Sequence, residues 1–304
     1  MNSLSPAAQA IFDEWSPPVF LTVMVCLTGM IYVRGWVAIR RTRPTQFTAS
    51  RLLAFLTGLM VLWLAIGSPM DGFADRLVSA HMVEHLLLMS FVPPLLLLGY
   101  PQVPLLRGLP RWMAARILGP LLRMKALVTL GRFLVTPIVA WLLMNLIFLG
   151  WHVPAAYDFA LENEGWHDFE HICFLSSSIV FWWPLIGPQP ASIRYHGWHL
   201  LPYLVGADVV NTALSAFLAF CGQPVYSYYT EHPNGFGIAP LPDQVTGAVI
   251  MWVIGSLVFL VPAVLITFRL LQRGSKLDRS NSARDISSEQ SVLMNETTGR
   301  EMFR

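Results

Sequence analysis

Apolar residues in this chain gather into long runs instead of alternating with polar ones. Seven stretches carry little charge, approximately residues 19–39, 52–67, 78–98, 134–150, 172–186, 201–220 and 245–268. A helix needs about 20 apolar residues to cross a bilayer, and helices satisfy their own backbone there. The pattern predicts an all-α, polytopic membrane protein with seven transmembrane helices. The second and fifth runs are short, so their limits are loose. Residues 1–18 read as a leader, 19–273 as the membrane domain and 274–304 as a disordered tail rich in Ser, Asn, Glu and Arg. Pro93-Pro94 falls inside the third run and predicts a kink or break there, because proline lacks a backbone donor and crowds the preceding turn. Pro137, Pro184 and Pro262 lie nearer span ends, where proline is easier to accommodate.

Composition agrees with this reading. The 304 residues are 55% hydrophobic and only 12% charged, against about 25% charged in soluble domains. The net charge of +2 hides a strong sidedness and implies no nucleic-acid partner. Arg40, Arg41, Arg43 and Arg51 occupy the first connection; Arg107, Arg111, Arg116, Arg123, Lys125 and Arg132 the third; Arg194 the fifth; and Arg269, Arg273, Lys276 and Arg279 follow the last run. The leader and the even connections hold Arg76 and otherwise acids, among them Asp71, Asp75, Asp158, Glu162, Glu164 and Asp243. Basic residues stay cytoplasmic, so the N-terminus is expected outside and the C-terminus inside. Several arginines around Arg107–Trp112 suit an amphipathic segment on the inner leaflet, facing anionic lipid. The first residues lack the basic start of a cleavable signal peptide. Cys26, Cys173 and Cys221 show no paired spacing and predict no disulfide framework.

Against this background the histidines stand out, since an ionisable group in a membrane segment is costly and hence a functional candidate. Five of eight fall in His81-Met82-Val83-Glu84-His85, in Trp166-His167-Asp168-Phe169-Glu170-His171 and at Trp151-His152. The expected topology brings all five to the outer half. Residues four apart share a helical face, so His81, His85 and Met89 form one stripe and His167 and His171 another. Paired imidazoles suit zinc, copper, iron or nickel, and an aligned thioether favours Cu(I). Glu84, Asp168 and Glu170 could orient imidazole N–H groups. Blander readings exist for each: His152 beside Trp151 fits an interfacial belt, and Met82 and Met89 fit core packing. Cys173 reads as packing, and His196 and His199 as cytoplasmic. His232 falls in a turn-like Glu231-His232-Pro233-Asn234-Gly235 stretch. Asp208 and Asn211 share a face of the sixth span, as helix–helix hydrogen-bonding groups or ion handlers. Asp243 is apt as a helix N-cap at the depth of the histidines.

Together these motifs resemble the CtaG family of cytochrome c oxidase assembly factors. The resemblance runs from about Phe73 to Pro262, through His81-Met82-x-x-His85-Leu-Leu-Leu-Met89, Pro93-Pro94, Trp151-His152-x-Pro154, His167-x-x-Glu170-His171, Phe181-Trp182-Trp183-Pro184 and Asp243-Gln244-x-x-Gly247-x-x-Met251-Trp252. It implies a multi-pass, non-catalytic protein of the bacterial inner membrane that matures a haem–copper oxidase through copper supply, with an oxidase subunit as client. The family's histidines fall on His81, His85, His152, His167 and His171. Glu84 departs from the Gln expected in many relatives. The rival chemistry is haem held between paired histidines in a membrane oxidoreductase. A metal transporter is a third reading, weakened because the third span turns wholly apolar beyond Met89.

Overall fold

The computed structural model describes residues 5–187 and 197–301, with side chains to Gln272. Among these residues it is all-helical. Six helices are long and apolar enough to cross a membrane: Val19–Arg40, Ala49–Ile66, Val78–Leu98, Glu164–Ile186, Gly197–Phe220 and the apolar part, Pro240–Gln272, of a final helix that runs Pro240–Glu301. Between the third and the next lies a pair bent by 73°, Lys125–Leu134 and Pro137–Trp151. The bend falls where Pro137 opens the second helix, a position that needs no backbone donor. Lys125–Leu134, further along the same connection than Arg107–Trp112, is amphipathic, and Pro137–Trp151 is the apolar member of the pair, a seventh candidate span. At 1.5 Å per residue, its fifteen residues span about 22 Å.

Of the kink or break expected at Pro93-Pro94, no break occurs: the third span is one helix from Val78 to Leu98, irregular just before the prolines. A single wide turn over Leu87–Phe91, in which Val92 N–H donates to the Leu87 carbonyl, leads into the regular helix Val92–Leu98. Both prolines stand in the first turn of that helix. Pro93 has no N–H for the Met89 carbonyl four residues back, and the indole Nε1–H of Trp182 on the fifth span donates to that carbonyl at 3.1 Å. The freed acceptor thus becomes a tie between spans.

Two aromatic-rich clusters run down the bundle. One joins Val78, Met82, Phe148, Tyr157, Phe174 and Met251; the other joins Phe181, Trp182, Tyr203, Leu204 and Phe259. A third, around Tyr32, Trp36 and Phe55, holds the first two spans together at the opposite end. Short helices Met70–Ala74, Pro154–Glu162 and Tyr228–Glu231 roof the first cluster. Tyr157 stacks on Tyr226 at 3.8 Å, and the Tyr229 hydroxyl donates to the Ala74 carbonyl at 2.8 Å. In the leader, helix Pro6–Glu14 is capped by Ser5 and joins the roof through Phe12 on Phe73 and an Arg76–Glu14 pair at 3.2 Å. Of the expected tail only the backbone to Glu301 is described, as part of the last helix, and Arg194 and His196 lie outside the described residues.

Candidate metal centre

The third and fifth spans meet along the two histidine stripes. His81 lies 5.2 Å from His167, ring centre to ring centre, with nearly parallel planes, and one turn on His85 lies 5.8 Å from His171. First histidine meets first and second meets second, so the two helices run the same way. One crossing must lie between them, and Pro137–Trp151 supplies it: His152, just past its end, comes within 6.2 Å of His85. All five expected histidines are thereby brought together and buried.

Two carboxylates share the enclosure. Glu84 and Glu170 are both essentially inaccessible. His171 Nε2 lies 3.4 Å from Glu84 Oε1, and His85 Nε2 lies 3.6 Å from Glu170 Oε1. The pairing is reciprocal because both helices carry the same H-x-x-E-H spacing: His81, Glu84, His85 and His167, Glu170, His171. The sequence reading cast Glu84 and Glu170 as orienting groups behind the imidazoles. The structure puts their oxygens among the donor atoms, in two sets whose ligand atoms lie within 4.8 Å of one another: His81, Glu84, His167 and His81, His85, Glu170. The repeated spacing was the available signal. Asp168, by contrast, is exposed and belongs to neither set.

Hydrogen bonding shows what the enclosure can hold. His152 Nδ1 lies 2.7 Å from the Phe148 carbonyl, which can only accept, so Nδ1 carries the proton and Nε2 presents a lone pair. Inside, four carboxylate oxygens of Glu84 and Glu170 and seven ring nitrogens have no hydrogen-bond partner in the protein. A buried polar atom left without a hydrogen bond costs about 1–3 kcal/mol, so eleven would together cost an amount comparable with the whole net stability of an ordinary domain, about 5–15 kcal/mol. No Lys or Arg among the described residues pairs with either glutamate. Imidazole nitrogens and carboxyl oxygens gathered with no Lys or Arg among the described residues beside them fit a cation.

Met89 lies beyond His85, in the wide turn. With His85, Met82, Met144, Met251 and Asn145 it lines a cavity of about 30 Å³ directly below the cage, so thioether and imidazole groups face one void. Phe174 at 4.4 Å from His85 and Tyr157 at 4.9 Å from His81 close the flanks. Cys173 is partly buried and free. His232 stacks on Tyr228 at 4.4 Å, and its Nδ1 lies 2.9 Å from the Tyr228 carbonyl, above the cage and outside it. The sixth span ends near the cage at Leu218, so exposed His199 sits at the other end. Asn211 donates to the Met251 carbonyl at 3.3 Å, a helix–helix bond, while Asp208 Oδ1 is buried without a partner.

Two outer acids frame the site. Asp243 stands in the first turn of the last span, yet its carboxylate accepts from Val78 N–H at 2.6 Å and from Ser79 N–H and Oγ–H. It caps the helix bearing His81 and not its own. Asp71, in the roof, has its pKa raised from 3.8 to about 7 by burial first, then by repulsion from Asp75, Asp168 and Glu164. An acidic rim beside the enclosure attracts cations.

Residues 30–273 match the family model described as cytochrome c oxidase caa3 assembly factor. An uncharacterized protein of Mycobacterium leprae is 26% identical over 291 residues, and one of Mycobacterium bovis is 28% identical over 291 residues. Each alignment takes in 92% of this chain, and the chain spans only 42% of the length of each relative. No solved structure matches.

Proposed function

The chain belongs to the cytochrome c oxidase caa3 assembly factor family, and on that premise we propose that it binds copper in the buried histidine–glutamate cage and supports its delivery to the oxidase. The observation that carries this reading is the convergence of five imidazoles and two carboxylates, eleven of whose buried polar atoms have no hydrogen-bond partner in the protein. Imidazole suits copper, and thioethers select Cu(I). His81, His85, His152, His167 and His171 supply the imidazoles, Glu84 and Glu170 balance the charge, and Met89 offers a soft ligand beside His85. Copper here is cargo: it leaves by ligand exchange to an oxidase subunit, and the protein does no catalysis. The protein lies in the bacterial inner membrane with the cage and N-terminus outside, where basic residues are scarce.

Room argues against haem. Phe174, Tyr157 and Phe148 pack directly on the histidine rings, and the facing rings of His81 and His167 stand only 5.2 Å apart, centre to centre. Metal analysis and an absorption spectrum of the purified full chain, with and without added Cu(I), test the proposal. We expect stoichiometric copper with no Soret band, and loss of copper with normal membrane insertion in the His81→Ala/His85→Ala double variant. A Soret band without copper, or copper retained by the double variant, overturns the reading.

A further inference from the structure

The end of the bundle opposite the cage holds a second built site. The first connection and the residues just past the third span line an open cavity of about 540 Å³, with Arg43, Arg51, Arg107, Thr42, Gln46 and Tyr100 among its walls. Three arginines line one space, and among the described residues no carboxylate does. Among the described residues none of these arginines has an ion-pair partner. A second cavity of about 310 Å³ adjoins it, sharing Arg51 and Tyr100 and otherwise walled largely by Ala54, Leu98 and Ile186. One chamber is basic, and its neighbour is mostly apolar.

The wall between them is held in place from several sides. Arg51 lies over the Tyr100 ring at 4.2 Å. Tyr100 has φ +54°, a left-handed conformation that a residue with a side chain keeps only where its surroundings enforce it. The Tyr32 hydroxyl contacts the carbonyls of both Gly99, at 2.6 Å, and Arg51, at 3.3 Å, which joins the first three spans at this point. Arg107 is placed by an intimate helix crossing. A Cβ on Gly108 would stand 1.8 Å from the Ile31 carbonyl oxygen, and one on Gly35 would stand 1.8 Å from that of Pro104. Arginines spread along an inner-leaflet surface would need none of this construction.

We propose that these joined cavities bind a phosphate-bearing amphiphile: an anionic phospholipid whose headgroup phosphate is held by Arg43, Arg51 and Arg107 and one of whose chains lies against Ala54, Leu98 and Ile186. Guanidinium groups match phosphate oxygens in a planar fork, and basic pockets between membrane helices recognise such headgroups. The apolar chamber assigns the phosphate to a lipid instead of a free anion. The inference is independent of the copper reading, since it uses the other end of the molecule.

The test titrates the purified full chain, in uncharged detergent, with dioleoylphosphatidylglycerol, dioleoylphosphatidylcholine or inorganic phosphate. Melting temperature and lipid retained after gel filtration are read out. We expect phosphatidylglycerol alone to be retained and to raise the melting temperature. Arg107→Gln should weaken its binding about tenfold, and Arg43→Gln/Arg107→Gln should abolish retention. Arg123→Gln, an exposed arginine outside both cavities, should change nothing. These surface arginines are chosen because Arg51→Gln could disturb the Tyr100 turn itself. Equal retention of the two lipids, or an equal loss in Arg123→Gln, would reduce the site to general surface attraction and overturn the proposal. Stabilisation by inorganic phosphate matching that by phosphatidylglycerol would overturn the lipid assignment.

Discussion

His152 shows how much one hydrogen bond decides. Trp151 beside it reads equally well as an interfacial anchor, and no spacing rule links position 152 to the H-x-x-E-H helices. The Phe148 carbonyl settles its tautomer and turns Nε2 into the enclosure. Glu84 and Glu170 changed role for a similar reason: their oxygens meet histidines of the facing helix, not of their own. Carboxylates and imidazoles must shed protons to ligate. Copper uptake should therefore release protons into a weakly buffered solution, and Glu84→Gln should release fewer while lowering copper affinity at least about tenfold. Unchanged release and affinity would place Glu84 outside the ligand set. Asp71 gives a second test. Its folded pKa near 7 lies above the ordinary 3.8, so the fold disfavours its ionised form. Its stability contribution is best below pH 3.8, is lost as pH rises toward 7 and is flat above. Its charge, with those of Asp75, Asp168 and Glu164 around it, still draws cations inward. The copper association rate should rise as pH passes through about 7, and Asp71→Asn should flatten that rise while making the protein more stable at pH 8.

The elements that carry the cage depend on partners distant in sequence. The third span begins on a carboxylate from the seventh, where Asp243 takes up the free N–H groups of Val78 and Ser79. The same span passes its prolines because Trp182 of the fifth satisfies the Met89 carbonyl. Losing an N-cap costs about 0.5–2 kcal/mol. Asp243→Ala should lower the melting temperature by several degrees and loosen copper, while Asp243→Asn, which keeps an acceptor oxygen, should lose less. Equal effects of the two would mean that charge and not capping matters. The sequence made Asp243 a good cap; which helix it caps depends on how the spans stand side by side.

The whole molecule is polarised along the bundle, with the cage and its acidic rim at one end and the arginine-lined cavities at the other. The parallel run of the third and fifth spans requires one crossing between them, in agreement with the charge alternation. Orientation can be read by labelling single cysteines with a membrane-impermeant maleimide, after replacing Cys26, Cys173 and Cys221 with Ser. Asn234→Cys should react in intact cells and Gln46→Cys only after permeabilisation; the reverse pattern would invert the topology.

The amino-acid sequence determined the helical class, the approximate spans and the five histidines, because crossing a bilayer demands long apolar runs and makes each ionisable group inside them conspicuous. Helical spacing also placed each histidine pair on one face. Local sequence could not decide the facing of those pairs, the entry of Glu84 and Glu170 into the donor set, the unbroken passage through Pro93-Pro94 or the gathering of Arg43, Arg51 and Arg107 along one space. Each of these depends on an atom from another span, at a distance set only when the helices pack.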